Sequence, residues 1–118
     1  MNLDDLAQSI PDSENVLRHD LARWINGWKK SDASLEELVD LITKWHGNVW
    51  FKDPEFSNTF YQNWLHFKTV DIAGVTSMTV NERLYTFGLV ELWDTLDEAE
   101  RAILLAKFSP RGTKIPNP

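Results

Sequence analysis

Cysteine is missing from this chain altogether. That absence excludes disulfides, thiolate zinc sites and cysteine nucleophiles. Glycine is scarce, and its five copies are scattered singly, so no glycine-rich phosphate loop can form. No run of about 18 apolar residues occurs, so no transmembrane helix is expected. The opening MNLDDLAQSI lacks the basic and apolar regions of a secretory leader, and the expected location is cytoplasmic. Bases are outnumbered: 12 Lys and Arg face 18 Asp and Glu, for a net charge of −6. Such a charge opposes gripping a phosphate backbone, so no direct nucleic-acid contact is expected, and no membrane partner.

What is plentiful is aromatic and aliphatic surface. Six Trp and six Phe sit in a chain that is 42% hydrophobic. At 118 residues this is one domain, able to bury about two-thirds of its unfolded surface without staples.

The hydrophobic period is helical almost throughout. A short helix over residues 2–9 starts at Asn2 and stops at Pro11. A second spans 13–30, with Leu17, Leu21, Trp24 and Trp28 on one stripe. Ser34 and Glu37 form a capping box for a third, whose apolar face is Leu35, Leu38, Leu41, Ile42 and Trp45, with Gly47 as its C-terminal cap. Asp53-Pro54 opens a fourth through Phe56, Phe60, Trp64 and Phe67. Thr69 to Met78 reads as an ordered loop. Thr79 and Glu82 box a fifth helix through Leu84, Phe87, Leu89 and Leu92. Thr95 and Glu98 box a last one through Ile103, Leu104 and Phe108. The expected fold is all-α: a single domain over 1–108 of five or six helices, bundle-like or orthogonal, with 109–118 as a disordered tail.

Complete catalytic signatures are wanting. His19 and His66 fall on polar faces, and His46 lies at a helix end where its cation would suit the dipole. No histidine has a ligand partner at zinc spacing, so no metal or other cofactor is expected. Serines cluster at caps and loops, outside any G-x-S-x-G elbow. Arg18, Arg23, Lys29 and Lys30 read as the solvated face of an amphipathic helix. No catalytic residue is assigned, and an enzyme is not expected.

Three placements stand out. Projected from Leu84 at about 100° per residue, Glu91 falls inside the apolar arc and Trp93 on the polar side. Trp93 is then either packed under the last helix or exposed as an interface anchor. Asp20 lies between Val16 and Trp24, where an Arg, a Lys or an indole N–H must meet it. Acids also cluster: Glu91, Asp94, Asp97, Glu98 and Glu100 have no base among them, and neither do Asp32, Glu36, Glu37 and Asp40. Acids in a helix's first turn complement its dipole; the remainder would attract a basic partner and speed its association.

The segment MTVNERLYTFGLVELWD, Met78 to Asp94, resembles a T-V-N-E-R-L…G-L…W-D pattern in small bacterial proteins. The matching residues are Thr79, Val80, Asn81, Glu82, Arg83, Leu84, Gly88, Leu89, Trp93 and Asp94. In that pattern Arg83 is free to salt-bridge, and Gly88 lets a neighbouring helix approach closely. Some proteins with it are toxin-immunity proteins of the contact-dependent inhibition type. The resemblance implies an immunity or antitoxin-type protein that neutralises a basic, nucleic-acid-cleaving bacterial toxin. The expected contact residues are Glu91, Trp93, Asp94, Asp97 and Glu98, with Glu36 and Asp40 second. The alternatives are a non-catalytic accessory subunit of a larger assembly, and a small enzyme using Glu91 or Asp20 as a base. Oligomeric state is left open.

Overall fold

Most helices begin with a short polar side chain folded back on its own backbone, which satisfies N–H groups that have no partner within the helix. Asn2 caps α1 (Leu3–Gln8), with Asn2 and Asp5 exchanging side-chain and backbone hydrogen bonds at 2.8 and 3.0 Å. Ser34 accepts from Glu37 N to start α3 (Leu35–Asn48), and Asp53 accepts from Glu55 N to start α4 (Pro54–His66). Thr79 and Glu82 form the expected box for α5 (Val80–Thr86). The remaining helices are α2 (Asn15–Lys30), entered through a 3₁₀ turn at Asp12–Glu14, α6 (Val90–Asp94) and α7 (Glu98–Leu105). This computed structural model describes residues 1–109. The tail expected at 109–118 therefore lies, apart from Ser109, outside the described residues.

The all-α class holds, with seven α-helices and no strand among the described residues. The count exceeds five or six because the fifth predicted helix is two. Gly88 adopts φ +66°, where the chain turns and α6 begins afresh. The last helix starts two residues later than predicted. Asp97 boxes with Glu100 at 2.8 and 3.0 Å, while the Thr95 hydroxyl donates to Leu92 O at the end of α6. Gly47 is no cap, because α3 continues through it to Asn48, whose side-chain amide donates to Lys44 O. The predicted loop after Phe67 is helical. A π-helical segment, Phe67–Ile72, extends α4, and a 3₁₀ turn covers Val75–Ser77.

The core has two aromatic centres. Trp45, Phe51 and Phe60 pack between α3 and α4, with the Trp45 and Phe60 rings 5.5 Å apart. Phe87 is the hub of the other, with its ring 6.2 Å from Trp28, 5.7 Å from Phe67 and 5.1 Å from Phe108. Such tilted and edge-on contacts are the favourable aromatic geometries. On α2 the buried stripe is Leu21, Ile25 and Trp28, with Leu17 packed against it. Trp24, expected inside, is exposed. Residues 24 and 25 are both compatible with the spacing from Leu21 to Trp28, and the β-branched aliphatic takes the inner position.

Distant parts of the chain meet at the C-terminal end of α2. Lys29 Nζ bonds both carboxylate oxygens of Asp4 at 2.7 and 2.8 Å. That pair lies directly against Gly88, whose absent Cβ leaves it room. The close approach expected at Gly88 is thus made by α1. Beside it, the buried Lys107 donates to the carbonyls of Trp28, Ser31 and Ala33 at 2.6, 2.6 and 3.0 Å, with its ammonium 4.5 Å from the Trp28 ring centre. Burial lowers the Lys107 pKa to about 8, opposed by Asp32 and Glu37.

Candidate functional site

The helices α6 and α7 are short, and every exposed charged residue on them is acidic. Glu91, Asp94, Asp97 and Glu98 are all exposed, on or beside these helices. Glu91 is not in an apolar arc. The turn at Gly88 restarts the helix, so a projection carried over from Leu84 gives it the wrong azimuth. Asp97 serves the α7 capping box. Among the described residues no salt bridge joins Glu91, Asp94 or Glu98 to a base.

Trp93 takes the first of its two expected placements. It is half-buried against the core under α7, with the Arg101 guanidinium 4.8 Å from its ring centre and Arg101 Nε donating to its carbonyl. The cation nearest in sequence to the acidic strip is thereby turned onto an aromatic face. Behind the strip is an apolar groove of about 300 Å³ between α2 and α6–α7, lined by Leu92, Leu96, Ile103 and Leu104, with Lys29 and Lys30 at its far wall. Ile103, expected on the apolar face of the last helix, is 60% exposed here.

Glu36 and Asp40 are exposed on α3. The start of that helix lies towards the other end of α7, because Asp32 and Glu37 act on the Lys107 charge. The two acidic segments therefore flank the last helix rather than forming one cluster.

The remaining candidates have structural partners. Asp20 accepts from Trp45 Nε1 at 2.9 Å and pairs with Arg23 at 2.6 Å, so an indole and an arginine do meet it. Arg18 is held by Asp12 and Lys29 by Asp4, which dissolves the basic stripe of α2. Arg83, expected to be free for a salt bridge, donates to Val75 O and lies over Phe108. Among the described residues no group of three His, Asp or Glu is arranged to hold a metal ion, and no helix is long and apolar enough to cross a membrane.

His46 also departs from expectation. Its ring stacks on Tyr61 at 6.0 Å and lies 5.2 Å from Phe60. Burial lowers its pKa below 6.5, overriding the helix-end preference for the cation. The unfolded chain then binds a proton that the folded one resists. Stability is expected to be full above pH 6.5 and to fall on acidification through the lowered pKa. His46→Gln should flatten that acid limb in urea melts at pH 5 to 7; an unchanged slope would exclude His46 as its source.

Two features have no place in the sequence reading: the buried Lys107 and the exposed Trp50. Lys107 had a signal, since it follows Leu104 by three positions and precedes Phe108, which puts it on the apolar stripe. Compared with protein-family models, curated proteins and solved structures, the chain matches none.

Proposed function

We propose that this chain is an immunity or antitoxin-type inhibitor, which binds and neutralises a basic, nucleic-acid-cleaving bacterial toxin through the acidic face of α6 and α7. The observation that carries the reading is that one short stretch of chain carries both exposed carboxylates and an apolar groove: Glu91, Asp94, Asp97 and Glu98 are exposed on or beside α6 and α7, and Leu92, Leu96 and Ile103 of the same stretch line the groove together with Glu100. Stable interfaces have this anatomy, an apolar centre that anchors and a polar rim that selects. Enzymes that cleave nucleic acids need a positively charged groove, and a row of carboxylates imitates the charge of their substrate. Trp93, stacked with Arg101, stiffens the strip from beneath, while Glu36 and Asp40 supply a second acidic contact beyond the other end of α7.

The test is a pull-down from the native bacterium with neighbouring genes intact, washed at low and then high salt, followed by kinetics with the captured partner. A stoichiometric basic protein with nuclease activity is expected, released or weakened by salt. Asp94→Lys with Glu98→Lys should slow association about tenfold or more at low salt, while Trp93→Ala should chiefly raise the dissociation rate. A captured partner that ignores both salt and charge reversal would overturn the reading.

A further inference from the structure

Among the described residues Glu14 is the only buried carboxylate, with 5% of its surface exposed. It stands at the N-cap of α2, yet its side chain bonds none of the free N–H groups there. Oε2 instead crosses to Asp53 N, at a long 3.4 Å. Among the described residues Oε1 accepts no hydrogen bond, and neither oxygen belongs to a salt bridge. No buried side-chain oxygen among these residues is without a partner, so Oε1 still meets solvent. Glu14 opens there onto a groove of about 210 Å³, walled also by Val16, Leu17, Trp50 and Lys52. Burying a carboxylate that keeps one oxygen without a donor is costly for the fold.

The groove supplies the other parts of a cation site. Trp50 is 91% exposed, and an indole face attracts cations. Val16 and Leu17 offer apolar walls to a short stem. Lys52, the competing charge in the same wall, forms no salt bridge with Glu14. A metal ion would need several ligands, and among the described residues no group of three His, Asp or Glu is arranged for one. The chemistry is therefore that of an organic cation. Guanidinium fits these parts: it is planar, stacks on aromatic faces, is weakly hydrated and donates to carboxylates from its edge. The groove is smaller than sites for drug-sized ligands, which suits one such group on a short stem. We propose that this groove binds a guanidinium group, with Glu14 Oε1 accepting from its N–H and the Trp50 indole stacked on its plane. None of its residues belongs to α6 or α7, so the site is independent of the inhibitor reading.

The experiment titrates the full chain with ethylguanidinium at constant ionic strength, following the amide resonances of Leu17 and Lys52 by NMR. Saturable shifts in the millimolar range are expected, because so few ligand atoms are in contact. Ethylurea, of similar shape but uncharged, should produce none. Glu14→Gln should weaken binding at least about tenfold, the effect of losing a charge-assisted bond. Trp50→Leu should weaken it about threefold or more, and Lys52→Gln should tighten it by removing a competing charge. Positions 50 and 52 are outside every α-helix, so these two variants decide the matter even if Glu14→Gln disturbs the fold. Arginine blocked at both ends presents the same group as part of a polypeptide. Tighter binding than ethylguanidinium assigns the site to a partner's arginine side chain, and weaker binding assigns it to a small free guanidine. Resonances that do not shift, an equal response to ethylurea, or affinity indifferent to both Trp50→Leu and Lys52→Gln would overturn the proposal.

Discussion

Replacing Gly88 with alanine is expected to destabilise the fold by about 3 kcal/mol. Two effects add. At φ +66° an L-residue costs about 1–2 kcal/mol. The new methyl would also overlap Asp4 Oδ2 and come within 2.8 Å of Lys29 Nζ. A side chain can swing away, but here the two are bonded to each other, with the Lys29 side chain only 12% exposed. Relieving the overlap therefore parts a charge-assisted pair and leaves a poorly hydrated ammonium, which costs about 1.5–3 kcal/mol more. Chemical denaturation of Gly88→Ala, alone and with Asp4→Ala, would check this. Removing Asp4 first deletes the obstruction, so the glycine substitution should then cost only its backbone share. Equal costs in both backgrounds would show that the ion pair plays no part.

Lys107→Met is expected to cost a similar amount, about 3 kcal/mol. Methionine keeps most of the lysine stem and its packing, so the loss reports the ammonium. Burying that ammonium is unfavourable, which is why its pKa falls to about 8, yet at neutral pH it stays largely protonated. Its ammonium donates to the carbonyls of Trp28, Ser31 and Ala33; Trp28 O also accepts from Ser31 N and Oγ, whereas the Ser31 and Ala33 carbonyls, at and beyond the helix end, would lose this donor. Replacing a buried ion by an apolar group is often neutral when both partners go, but here two acceptors, the Ser31 and Ala33 carbonyls, remain without it. A urea-midpoint comparison with Ser34→Ala, whose lost cap should cost about 1 kcal/mol, gives the scale. A Lys107→Met loss no greater than that of the cap would mean that burial cancels the bonds.

Much of the fold is legible in sequence, because helix starts are local. Asn2, Ser34, Asp53 and Thr79 each meet their own next turn, so a few residues decide the outcome. Where two local solutions compete, tertiary contacts arbitrate. Thr95-x-x-Glu98 and Asp97-x-x-Glu100 are both boxes, and only the second leaves Leu96 to pack against the core. Residues 24 and 25 are likewise equivalent by spacing, and the choice of Ile25 follows from the neighbours of α2. Gly88 shows the limit of projection: one positive φ resets the azimuth of every residue after it, so no projection from Leu84 places Glu91 or decides that Trp93 is covered. The acidic strip itself could be read directly from composition. The exposure of Trp50 could not, because this residue lies outside every helix and has no period to follow.

The lysine plug carries a consequence for the order of events during synthesis. Its three bonds span 74 to 79 residues, from the end of α2 to a segment just behind the last helix. A nascent chain adds about 5–20 residues per second, and everything through Asp94 leaves the ribosome before that plug exists. During that interval the Ser31 and Ala33 carbonyls lack the Lys107 donor, and the aromatic hub around Phe87 still lacks Phe108. Closure of the domain therefore waits for the final dozen residues of the described chain. Its tryptophan-rich interior stays open to chaperones until that segment has emerged.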